Sequence, residues 1–61
     1  MESYEKLKQM VEEVAEDVYK AVGGNKAAGT RVRKVMQEIK NTAQEVRKSI
    51  LTIREVEEGQ P

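Results

Sequence analysis

The chain has 61 residues with no cysteine and no histidine, and its 11 Lys and Arg balance its 11 Asp and Glu to a formal charge of zero. Disulfides and His- or Cys-based metal sites are thereby excluded, and at this length one core seldom supplies more than about 3–5 kcal/mol, so oligomerisation is the stabilising option left. No apolar run is long enough to span a membrane, and Glu2 and Glu5 stand where a signal peptide would carry basic and apolar residues, so a cytoplasmic protein with no membrane partner is expected.

Two Tyr, no Phe or Trp, a single Pro at the end and abundant Glu, Lys, Val and Ala are the composition of long helices rather than sheets. The first predicted helix covers residues 3–22. Ser3 is placed to cap it, and Tyr4, Leu7, Val11, Val14, Val18 and Ala21 recur at steps of three and four, a coiled-coil-like spacing. A turn over residues 23–25 follows. Gly23 or Gly24 can adopt the left-handed conformation that ends a helix, and Asn25 can cap the next one, with Thr30 as an alternative cap that would lengthen the loop. So short a connection makes the helices antiparallel neighbours.

The second predicted helix covers residues 26–57, followed by a tail at 58–61. Its apolar side recurs at Ala28, Val32, Val35, Ile39, Ala43, Val46, Ile50, Ile53 and Val56, again at steps of three and four. Gly29 in its first turn costs about 1 kcal/mol relative to Ala, and close approach to the end of the first helix is the expected compensation. In a hairpin turning at Gly24-Asn25, facing residues have numbers that add to about 50, pairing Val22 with Ala28, Val11 with Ile39 and Tyr4 with Val46. Residues from about 49 onward then overhang by roughly 15 Å. Leaving Ile50, Leu51, Ile53 and Val56 in water would forgo about 1.5–3 kcal/mol each, so these four are the expected interface of a homo-oligomer, in its simplest form a two-fold dimer. The competing reading is a frayed, solvated end, for which Glu55, Glu57 and Glu58 beside the negative pole of the helix dipole argue.

The zero total hides a segregated charge: net −3 over residues 1–22, +6 over 23–54 and −3 over the last seven. With Val32, Ile39, Val46 and Ile53 taken as heptad position a, Lys26, Arg33, Lys40, Arg47 and Arg54 all fall on b, and Lys34 and Lys48 widen the stripe at c. Such a stripe, about 42 Å long, can meet phosphates on both sides of a duplex groove without reading bases. A charged face that serves only solubility is the plainer explanation, and overall neutrality falls short of the basic balance usual in nucleic-acid binders.

The run Gly24-Asn25-Lys26-Ala27-Ala28-Gly29-Thr30-Arg31-Val32-Arg33-Lys34, followed by Met36-Gln37-Glu38-Ile39-Lys40 and Ala43-Gln44-Glu45-Val46-Arg47-Lys48, resembles the bacterial histone H1-like Hc1 family. The likeness is strong over residues 24–51 and holds only in pattern over the first helix. It implies a nucleoid-associated protein that binds DNA with little sequence preference and compacts it. The matching basic positions are Lys26, Arg31, Arg33, Lys34, Lys40, Arg47 and Lys48. The sequence departs from the Lys-rich members in its acidic end, Glu55-Val56-Glu57-Glu58-Gly59-Gln60-Pro61.

Other chemistries find little support. Gly24 to Gly29-Thr30 lacks the Lys and the preceding strand of a phosphate loop. Glu12, Glu13, Glu16 and Asp17 spread around their helix and lack the oxygen-rich loop that holds calcium. Without His, Cys or a concave pocket, nothing assembles a nucleophile, base and orienter, so no catalytic residue, cofactor, metal or small-molecule substrate is expected. Tyr4 and Tyr19 read as packing residues rather than base-stacking platforms. The expectation is an all-α antiparallel hairpin, self-associated into a bundle, that binds DNA non-specifically through Lys26, Arg31, Arg33, Lys34, Lys40, Arg47, Lys48 and Arg54. The alternative is a non-enzymatic structural module that self-associates without nucleic acid.

Overall fold

The computed structural model describes residues 1–58, with side chains described through Ile53. Two helices, α1 (Glu2–Val22) and α2 (Lys26–Glu58), pack side by side as an antiparallel hairpin in a rod of 56 × 15 × 13 Å. Expectations that fall on the side chains of Arg54 and Val56, or on residues 59–61, lie outside the described residues.

The turn is built by its two specialised residues. Gly24 has φ +103°, a left-handed conformation that a Cβ would strain. Its N–H donates to the Ala21 carbonyl at 3.0 Å and the Asn25 N–H reaches the Lys20 carbonyl at 2.9 Å, the paired bonds of a Schellman ending. One residue on, the Asn25 side-chain oxygen accepts the Ala28 N–H at 2.9 Å and caps α2. Thr30 does not cap. Its hydroxyl donates to the Lys26 carbonyl one turn back, at 3.3 Å.

At the other end of α1 the expected Ser3 cap is not made. Met1 occupies the cap position without a side-chain bond, Glu5 N–H donates to the Met1 carbonyl at 3.1 Å, and Ser3 lies inside the first turn with its Oγ buried and unpartnered. Ser3 is carried into the helix because it sits on the side that meets α2. There it lines a shallow groove with Glu45 and Ser49.

The register agrees with a turn at Gly24-Asn25. The Thr42 hydroxyl lies 3.5 Å from Met10 Sδ, and Asp17 pairs with Arg31. The side chains facing across it differ from those expected. The seam takes Ser3, Leu7, Met10, Val14, Asp17 and Ala21 from α1, and Ala28, Val32, Val35, Ile39, Thr42, Val46 and Ser49 from α2, all buried or half-buried. Both series keep a strict alternation of four and three, the period at which two coiling helices stay in contact. Ala28 is 0 % exposed, Val14 4 % and Thr42 5 %. Tyr4, Val11 and Val22, expected at the seam, are exposed, because they sit one step round the helix from it.

Two further expectations are corrected. A Cβ built on Gly29 would meet nothing within 4 Å, so this glycine does not serve a close approach within the chain. The overhang begins one residue later than expected: Ser49 is half-buried, whereas Ile50, Leu51 and Ile53 are exposed. Met1, the residue before α1, lines an open groove with Lys48, Ser49, Thr52 and Ile53.

Candidate nucleic-acid interface

Position on α2 decides what each basic side chain can touch. With the seam at heptad a and d, positions b, f and c form the back of the helix, about 130° to 180° away from α1. Lys26, Arg33, Lys40 and Arg47 occupy b, Lys34 and Lys48 occupy c, and all six are exposed. Between the two basic rows runs f, occupied by Thr30, Gln37, Gln44 and Leu51. The structure therefore gathers six cations on one convex, outward surface. From Lys26 to Arg47 it is about 32 Å long at 1.5 Å per residue, close to one turn of duplex DNA.

Among the described residues none of these six cations makes an ion pair. The three pairs found are Lys8–Glu5 and Lys20–Glu16 within α1, and Arg31–Asp17 between the helices. Arg47 donates to Gln44 Oε1 at 3.1 Å, an exposed bond to a neutral partner that leaves its charge in place. The acids of α1 do not reach these six: the one ion pair found between the helices among the described residues is Arg31–Asp17, and Lys8–Glu5 and Lys20–Glu16 lie within α1.

Arg31 is separated from the group. It occupies g, on the polar flank shared with Glu38 and Glu45, and grips Asp17 with two bonds, Nε to Oδ2 at 3.1 Å and Nη2 to Oδ1 at 2.9 Å. This fork holds the Asp17 carboxyl below its ordinary 3.8, through the hydrogen bond first and charge second, and raises the Arg31 guanidinium for the same reasons. Arg31 thus ties the turn end of α2 to α1. Sequence reasoning missed the pair because the partners are fourteen residues apart, and only the angle of the seam shows that they meet.

The arrangement suits a polyanion. Six mobile cations on a convex rod can neutralise phosphates, and a central row of Gln and Thr adds neutral donors, while no aromatic side chain stands among them to stack on bases. The surface depressions found beside α1 are open grooves between charged side chains rather than enclosed pockets. Among the described residues no cluster of acids is spaced to hold a metal ion, and no helix is long and apolar enough to cross a membrane.

The family model of the histone H1-like protein Hc1 matches residues 1–56, which is nearly the whole chain. The chain belongs to the histone H1-like Hc1 family. Membership carries the implication of a nucleoid DNA-binding protein of structural rather than enzymatic kind. It extends through α1, where the sequence alone showed likeness only in pattern. No curated protein and no solved structure matches the chain.

Proposed function

We propose that this histone H1-like protein binds duplex DNA without sequence preference through the back of α2. Lys26, Arg33, Lys34, Lys40, Arg47 and Lys48 contact phosphates, and Arg31 acts through the fold by holding Asp17. Arg54 belongs to the same row by sequence. The observation that carries the reading is the gathering of six exposed cations, free of ion pairs among the described residues, on one surface whose length matches a helical turn of DNA. Affinity on such a surface comes from counterion release, so it falls steeply with salt and is indifferent to sequence. Self-association is part of the reading, since a seam with three buried residues is a small core for two helices of this length.

A second reading has its own support in the zero net charge: a structural module that self-associates and leaves nucleic acid alone. Charge reversal separates the two. Arg33→Glu with Arg47→Glu is expected to abolish retention of a random-sequence duplex while circular dichroism shows unchanged helicity, because both side chains point away from the seam. Unchanged retention would remove the DNA assignment and leave the structural module.

A further inference from the structure

Two rows of cations on the back of α2 enclose a neutral centre. The three carboxamides of α2, Gln37, Asn41 and Gln44, follow one another at steps of four and three, so they lie in one line along the helix. Arg33, Lys40 and Arg47 flank that line at b, and Lys34 and Lys48 at c. All eight side chains are exposed, and between residues 33 and 48 positions b, c and f hold no acid and no apolar side chain. Gln44 Oε1 accepts from Arg47 at 3.1 Å, which leaves the Gln44 amino group free to donate. Among the described residues neither Gln37 nor Asn41 has a side-chain hydrogen-bond partner. A face that served solubility alone would carry charge here as well, and asparagine in mid-helix is a poorer helix former than Lys or Glu.

We propose that this face seats in the major groove of duplex DNA, with the b and c rows on the phosphates of the two strands and the amides against the base edges. Seating there presupposes the DNA reading above and adds the groove to it. Chemistry separates the groove from the outside of the duplex. Phosphate oxygens only accept hydrogen bonds, so a face laid across them from outside would be served best by cations at its centre. Base edges in the major groove offer both donors and acceptors, and a carboxamide is both. Size separates the two grooves. A helix ~10–12 Å across with its side chains enters the ~12 Å major groove but not the ~6 Å minor groove. The b and c rows, about 100° apart around the axis, then point to opposite walls. α1 packs at a and d, on the far side, and stays outside the groove. Glu38 and Glu45 at g stand about 40° beyond c, nearer α1, and repulsion from the adjacent phosphates keeps the seat shallow. Gln37 and Gln44 are about 10.5 Å apart along the axis, close to three base-pair steps of ~3.4 Å. Each base pair shows donors and acceptors to which an exposed amide can turn, so the contact tolerates any sequence.

Methylation by dimethyl sulfate tests the groove, because one reagent attacks guanine N7 in the major groove and adenine N3 in the minor groove. On a random-sequence duplex saturated with the protein, guanine N7 is expected to be protected and adenine N3 to stay reactive. Continued reactivity of guanine N7, or protection of adenine N3, on a duplex that is bound overturns the proposal and leaves the DNA reading standing. A duplex that is not bound at all removes the DNA reading, and the groove with it. Gln37→Ala with Gln44→Ala tests the amides. Both residues are exposed and alanine is the better helix former, so the fold is kept. The double variant is expected to bind about fivefold more weakly with an unchanged salt slope, since base contacts are lost and phosphate contacts are not. Unchanged affinity would mean that the amides touch no base, and a lowered slope that they act through phosphates; either overturns the seat in the groove.

Discussion

Thr42→Val is expected to stabilise the hairpin. Thr42 is 5 % exposed, and its hydroxyl has one partner in the fold, the Met10 thioether sulfur at 3.5 Å. Thioether sulfur is a weak acceptor. The threonines at 30 and 52 donate to the carbonyl four residues back, and Thr42 does not share that bond. A buried hydroxyl without a good partner costs about 1–3 kcal/mol on protein mutational scales. Valine has nearly the same shape and adds a methyl against Met10 and its neighbours on the seam. After deducting a weak O–H to sulfur contact, the net gain should be about 1 kcal/mol, or about 4–8 °C in Tm for a domain of this size. Thermal unfolding followed by circular dichroism measures it, at one fixed protein concentration because association makes Tm concentration-dependent. A variant that melts lower than wild type would show that the hydroxyl has a stronger partner than sulfur, and the account of the seam would be wrong.

Two more changes test other parts of the fold. Gly29→Ala should raise stability by about 0.5–1 kcal/mol, since a Cβ there meets nothing and the helix gains backbone rigidity; urea unfolding reads it, and a loss would mean that a second chain packs against Gly29. The Asp17–Arg31 fork sets a pH dependence whose sign follows from the lowered Asp17 pKa. A carboxyl held below its ordinary value contributes stability above that value and loses it as pH falls through the folded pKa. Wild type should therefore exceed Asp17→Asn in stability at neutral pH, with the difference closing below about pH 3.8. A difference that persists undiminished well into that acid range would mean that the pair acts through something other than the carboxylate charge.

Much of the fold is legible in the sequence because two local signals dominate it. Gly24 can take a positive φ and Asn25 can cap, so the turn and the antiparallel register follow. The face of each helix that meets the other was harder to read. The apolar stripes are wider than one neighbour can cover, and hydrophobicity alone weights Tyr4 over Ser3, Val11 over Met10, and Ala43 over Thr42. Packing chooses otherwise because the seam must keep the strict four-three alternation, and small polar residues at Ser3, Thr42 and Ser49 fit it. The same width leaves Tyr4, Val11, Met36 and Ile50 exposed outside the seam. The basic row was legible as a heptad pattern, since exposed charges at a fixed position need no packing detail. That Arg31 stands apart from the row was not, because Arg31 and Arg33 look equivalent until the seam is fixed.

The central claim is that six cations on the back of α2 bind the phosphate backbone. The direct test is affinity for a labelled random-sequence duplex as salt is raised. Six phosphate contacts per chain at ~0.9 each give a slope of log affinity on log salt of about −5.4, and five give about −4.5. The expected slope therefore lies between about −4.5 and about −5.4 per chain, the same for unrelated sequences. Absence of binding at low salt, or a slope near zero, would contradict it.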